Sequence, residues 1–253
     1  MVRQLVGGRG RQVVRGLGDL LVTAGVLTVL FVVYAVWWSD VLADHAADRA
    51  GGRLRGSWSA SSAAPATAPV VAPAPPEARG ASPEARPEPT LRVGEDIGFL
   101  HVPAMGRGYQ VLVRMGTDDG TLASGVAGVY TQPYRAAMPW DREGNFALAA
   151  HRDGHGAKFH DLDQVAPGDA LVVETKDRWY VYRVDGVLPE TSQDDVGVIA
   201  PVPVGSPYRS AGRYITLTTC TPVYTSRYRM VVWGSLVRDE AVDGGRTPPP
   251  ELR

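Results

Sequence analysis

At 253 residues the chain has room for one or two domains. A formal net charge of −1 gives no footprint for a nucleic-acid backbone, so no nucleic-acid partner is expected. The lone cysteine, Cys220, excludes an intramolecular disulfide framework.

Residues 1–19 carry Arg3, Arg9, Arg11 and Arg15 and read as a basic N-terminus. Residues 20–38, LLVTAGVLTVLFVVYAVWW, hold no charged side chain. As a helix they span about 28 Å, close to the hydrocarbon thickness of a bilayer. Trp37 and Trp38 end the run where indole rings favour the headgroups, and Asp40, Asp44 and Asp48 follow. Arginines before the run and acids after it predict a single-pass cell-membrane anchor, N-terminus in the cytoplasm and the rest outside. The alternative, a cleaved signal peptide, has a shorter apolar core, and no small-x-small site directly follows this run.

Residues 39–92 are expected to form an extracellular linker, largely disordered. VLADHAADRA continues the helix for two or three turns. From about Ser57 to Pro89 the composition turns to Ala, Pro, Ser and Glu, which favours polyproline II over a packed core. Thirty such residues at about 3.1 Å each reach on the order of 90 Å, the length of a semi-stiff stalk. Residues 239–253 read as a solvated, disordered tail.

The segment between, residues 93–238, has the size of one domain. Its apolar runs are short and rich in Val, Ile, Tyr and Trp: IGFLHV, YQVLVRM, FALAAH, DALVVET, WYVYRVDGVL, YITLTTC and YRMVVWGSLV. Ala166-Pro167-Gly168-Asp169 has the composition of a type II turn. TLASGVAG and KFHDLDQV each suit a short helix. Seven or eight strands with few helices predict an all-β fold, an antiparallel sandwich or a closed barrel.

Cys220 ends the strand YITLTTC just before Pro222, a position at the rim of a sheet. A free cysteine is most often a small, inert, buried hydrophobe. Here an exported chain retains an oxidisable thiol, and Arg227 and Arg229 follow closely, able to favour the thiolate. A nucleophilic cysteine needs a histidine partner, near in space rather than in sequence. His45 lies beside the anchor, and His101 sits within a strand pattern, where a structural histidine is expected. His151 closes a strand and opens the glycine-rich loop RDGHG, again a rim position. His151, His155 and His160 with Asp153 also suggest a metal site. Gly154 and Gly156 oppose the helix that would align them, so neither metal nor cofactor is expected.

TLTTC, an arginine opening the strand RMVVWG, and HR closing a strand about seventy residues earlier together resemble the sortase transpeptidases. Within that family the chain is most similar to the class E, actinobacterial housekeeping type. LLVTAG…FVVYAVWW, IGFLHVPAMG, MPWDREGNFALAAHR, PGDALVVET and TLTTCTPVYTSRYRMVVWG follow in the same order. The resemblance implies a closed eight-stranded β-barrel with one or two short helices. It implies Cys220 as nucleophile, His151 as acid/base, Arg229 as the oxyanion or substrate-orienting residue, and Thr219 as a substrate-binding neighbour. Arg227 is the rival for the arginine role. Both arginines share one parity, so strand alternation does not separate them, and Arg229 is preferred because the family's arginine directly precedes the apolar strand. Ala150 stands where the family commonly has glycine.

By the same resemblance, the donors are secreted proteins with a C-terminal sorting signal of the LPxTG kind, LAxTG for class E, cut between Thr and Gly. The acceptor is a cell-wall peptide amine on lipid II. The competing readings are a pilus-polymerising sortase using a pilin lysine, a non-enzymatic wall-binding module, and a metal-dependent hydrolase.

Overall fold

The computed structural model describes residues 6–63 and 91–253. The Pro/Ala-rich part of the expected stalk, 64–90, lies outside these residues. Eight strands close into a barrel: β1 (Asp96–His101), β2 (Gln110–Met115), β3 (Ala127–Val129), β4 (Gly144–Ala149), β5 (Ala170–Glu174), β6 (Arg178–Ser192), β7 (Arg213–Thr221) and β8 (Tyr228–Ala241). Around the barrel they run β1-β2-β3-β4-β7-β8-β6-β5, with β5 pairing back to β1. Alternation brings Leu100, Val113, Phe146, Leu148, Ile215 and Leu217 into one core, each at most 1% exposed.

The closed barrel is the expected fold, but its pairing is not purely antiparallel. β2 runs parallel to β3, and β4 parallel to β7. The strand β3 begins within TLASGVAG, a segment expected to be helical; only the turn before it, α2 (Asp119–Leu122), is helix. A three-residue strand is too short to show alternation. Gly128 within it has no room for a side chain, since a Cβ there would sit 2.2 Å from Gly116 O. The turn at 166–169 forms as expected: Asp169 N–H donates to Ala166 O at 3.1 Å, and Gly168 takes φ +98°.

Two peripheral segments differ from expectation. One helix, α1 (Val6–Ala63), runs from the apolar segment far into the expected linker. Ala43, Ala47 and Ala50 recur at helical spacing and are buried, and Gly51 lies against the Phe99 ring. Ala47 and Ala50, with Trp58, cover Phe99 of β1, Leu112 of β2 and Val126 just before β3. Trp58 meets Phe99 edge-on at 5.9 Å, and the Arg55 guanidinium lies 3.9 Å from the centre of the same ring. This packing sustains helix well beyond the two or three turns that local composition suggested.

The C-terminal residues expected to be a disordered tail are packed as well. Val242 and Leu252 cover Val172, Trp179 and Val181. Arg238 forks onto Glu251 at 2.7 and 2.6 Å. Glu174, at the end of β5, ties both segments to the barrel. Its carboxylate receives Arg55 of α1 at 2.9 Å, His101 of β1 at 3.1 Å and Arg246 of the tail at 2.9 Å. Burial opposes its ionisation, but the His101, Arg55 and Arg246 hydrogen bonds win and hold its pKa at about 2.

Candidate active site

Because β4 and β7 are parallel neighbours, the chain leaves both at the same rim. Ala149 lies beside Thr218, and the pairing extends past β4: Ala150 N–H donates to Thr218 O at 3.3 Å. Continued alternation puts His151 and Cys220 on the face that Ala149 and Thr218 share. Cys220 is half-buried at this rim, so its sulfur is not sealed in the core. β8 runs antiparallel on the other side of β7 and sets Arg229 directly opposite Cys220. Residues so opposed have Cα atoms about 4.5–5.5 Å apart.

Register separates the two arginines that alternation could not. Arg227 lies outside β8 in an exposed turn, its guanidinium 5.0 Å from the centre of the Tyr228 ring. Arg229 is on the strand, with Nη1 donating to Ser226 O at 2.9 Å and Tyr228 O at 3.0 Å. These bonds fix one side of the fork on the turn that leads into β8.

Thr219 has a different place from the one expected. It is 3% exposed, on the opposite face from Cys220, and its hydroxyl donates to Ala150 O at 2.8 Å. It shapes the rim by tying β4 to β7 rather than by presenting a side chain to substrate. Ala150 also points inward, its methyl buried in the barrel core, so the departure from glycine affects packing on the face away from the imidazole.

His151 is followed by a tightly curled loop. Gly154, His155, Gly156 and Ala157 take φ of 62°, 51°, 78° and 39°, the left-handed region in four successive residues. The curl brings the His155 ring to 5.0 Å from that of His151. Burial pushes the His151 pKa below its ordinary value, and His155 pushes the same way, against Asp119 and Asp153. Both influences favour the uncharged imidazole, the form able to accept a proton.

The other members of the suggested metal cluster point elsewhere. His160 Nδ1 donates to Arg152 O at 2.9 Å, and Asp153 accepts Tyr224 N–H at 2.6 Å. Among the described residues no three His, Cys, Asp or Glu side chains stand together as a metal cage. His101, bonded to Glu174, is the structural histidine expected.

Two residues of the rim went unassigned in the sequence. Tyr130, just past β3, donates to or accepts from Thr218 Oγ1 at 2.9 Å. Burial raises its pKa, its Thr218 hydrogen bond and Arg229 oppose this, and Cys220 adds to it, so the phenol lies within electrostatic reach of both. Its one sequence signal is an aromatic residue closing GVY. Arg152, 4% exposed, lies on the face opposite His151. It donates to His160 O and Thr221 Oγ1, both at 3.2 Å, and pairs with Asp163 at 2.9 Å. The HR pair thus divides its work, with His151 at the rim and Arg152 stitching the strands beneath it.

The sortase-domain family model matches residues 100–237, nearly the whole barrel. Sortase SrtE2 of Streptomyces coelicolor is 51% identical over 256 residues, spanning 98% of this chain and 94% of that protein. The crystal structure of sortase E1 from S. coelicolor with a tripeptide in its active site superposes with TM-score 0.60 at 40% identity. It covers 63% of this chain and 98% of that one. Sortase E from Streptomyces avermitilis superposes with TM-score 0.57 at 34% identity, over 64% of this chain and 99% of that one. A barrel of this topology, matched along almost its full length by class E enzymes, places the chain in the sortase family as a class E cysteine transpeptidase.

Proposed function

We propose that the protein is a membrane-anchored housekeeping transpeptidase. It cleaves an LPxTG-like sorting signal, LAxTG by its class E character, between Thr and Gly, and passes the threonyl carbonyl to a cell-wall peptide amine carried on lipid II. The observation that carries this reading is the cross-strand pairing of Cys220 with Arg229 beside the strand exit that bears His151.

Cys220 is the nucleophile. A thiol is a poor one until it loses its proton, and the neutral His151 imidazole takes it as sulfur attacks the threonyl carbonyl. The carbonyl oxygen becomes an oxyanion that requires donors already in place; losing one such donor costs about 3–4 kcal/mol. Arg229 supplies a planar, permanently charged fork that lysine does not imitate. As the C–N bond breaks, the His151 imidazolium returns its proton to the departing glycyl amine. The thioacyl enzyme then meets the acceptor amine. His151 removes that amine's proton, a new C–N bond forms, the C–S bond breaks, and the thiol is restored.

The apolar stretch Arg15–Tyr34 supports the anchor: it is helical, long enough to cross a bilayer and exposed throughout. The test incubates the full chain in detergent micelles with an LAxTG peptide and a glycine-type amine. The expected results are an acyl adduct on Cys220 by mass spectrometry and a transpeptidation product. Absence of both refutes the assignment.

A further inference from the structure

The helix α1 does more than carry an apolar segment. Six residues past Tyr34, about 9 Å along the helix axis, Asp40 accepts the Gly156 N–H at 3.0 Å. One turn further, Asp44 pairs with Lys158 Nζ at 2.7 Å. Both partners belong to the curled loop that begins at His151. The approach is close: a Cβ on Gly156 would sit 2.6 Å from Asp44 Oδ1. The loop is held elsewhere as well, by Tyr109, whose hydroxyl donates to Lys158 O, and by Phe159 N–H, which donates to His151 O at 2.9 Å.

Four successive left-handed residues, two of them not glycine, are not a conformation a free loop retains. They persist where surrounding contacts over-determine them, and Asp40 and Asp44 supply contacts from outside the barrel. Their carrier is itself fixed. Ala43, Ala47 and Ala50 are buried on the barrel, Gly125 leaves Ala43 room to approach, and Arg55 is anchored on Glu174. The loop's curl in turn brings His155 to 5.0 Å from His151.

We propose that Asp40 and Asp44 are positioning residues for the transpeptidation site: the juxtamembrane arm of α1 clamps the loop Gly154–Lys158 and so holds His155 against His151. The anchor helix is then part of the working enzyme rather than a tether, and the clamp holds the histidine loop close to the membrane end of the arm. This inference rests on the assignment of His151 as acid/base.

The charged groups that act on His151 are His155 and Asp153 from its own loop and Asp119 from α2; Cys220 and Arg229 lie at the same rim on the neighbouring strands β7 and β8. Burial and His155, the largest influences, both lower the His151 pKa. Releasing the loop relieves both, so the pKa rises. His151 must be uncharged to accept the thiol proton, so the acid limb of kcat/KM then moves to higher pH.

The test uses the full chain in detergent micelles with a short LAxTG peptide, so that distance from a bilayer plays no part. Asp40→Ala/Asp44→Ala is expected to lower kcat/KM on the order of tenfold, to shift the acid limb to higher pH, and to speed hydrogen exchange at 154–158. Asp40→Asn retains an oxygen that accepts the Gly156 N–H and is expected to keep the wild-type pH profile. An unmoved acid limb with unchanged exchange overturns the inference, and so does a lower Tm with an unmoved acid limb. Cys220→Ala, run alongside, separates the two claims. If it still turns over peptide, the site assignment falls and the inference with it; if it is inactive while the Asp variants behave as wild type, the inference alone falls.

Discussion

Glu174 joins three stretches of chain that are remote in sequence: the end of α1, strand β1 and the C-terminal residues. Replacing it with glutamine keeps the shape and removes the charge that Arg55 and Arg246 share. A fall in pKa from the ordinary 4.5 to about 2 corresponds to about 3 kcal/mol of preferential stabilisation of the folded carboxylate, at about 1.4 kcal/mol for each pH unit. Arg55 and Arg246 remain 40% and 29% exposed, so solvent screening trims this to about 2 kcal/mol. For a domain of this size that is a drop of about 4–8 °C in Tm.

The pH dependence has a definite sign. The folded pKa is depressed, so the contribution is complete above about pH 4.5 and disappears as pH falls toward about 2. Thermal unfolding of wild type and Glu174→Gln in the same micelles, followed by near-ultraviolet circular dichroism, should show a gap at pH 7 that narrows below pH 4.5. Hydrogen exchange should quicken at 50–58 and 242–253, the segments that Glu174 ties down. Equal Tm values at pH 7, or a gap that persists undiminished near pH 2, would refute the reasoning.

Arg229→Ala should cut kcat/KM by about 10²–10³, the usual consequence of a lost oxyanion donor, whereas Arg227→Ala should leave it near wild type. The reverse order in a peptide-cleavage assay would overturn the register argument. Arg152→Ala strands the His160 carbonyl and the Thr221 hydroxyl beneath the rim and should cost about 2–3 kcal/mol in urea unfolding. Ala150→Gly removes a buried methyl and adds backbone freedom, for about 1–2 kcal/mol of stability. Its kcat/KM should stay close to wild type, because the methyl faces the core; a large change in turnover would show that it reaches the imidazole.

Much of the barrel was legible in the sequence because strands and turns are local. Alternation in YVYRV and VLVRM, the Pro167-Gly168 turn, and a cysteine ending a β-branched run each depend on a few neighbouring residues. The length of the apolar run 20–38 is likewise a local property. β3 escaped because three residues carry no period. Tertiary structure alone decided which strands are neighbours, and hence that β4 and β7 leave the barrel together. It set Arg229 opposite Cys220 and left Arg227 outside β8, a difference that two positions of equal parity do not reveal. It turned Thr219 inward, and it packed α1 and the C-terminal residues on faces that their own composition does not mark. Contacts such as Asp40 with Gly156 or Arg246 with Glu174 join residues far apart along the chain, and their geometry exists only once the barrel has closed.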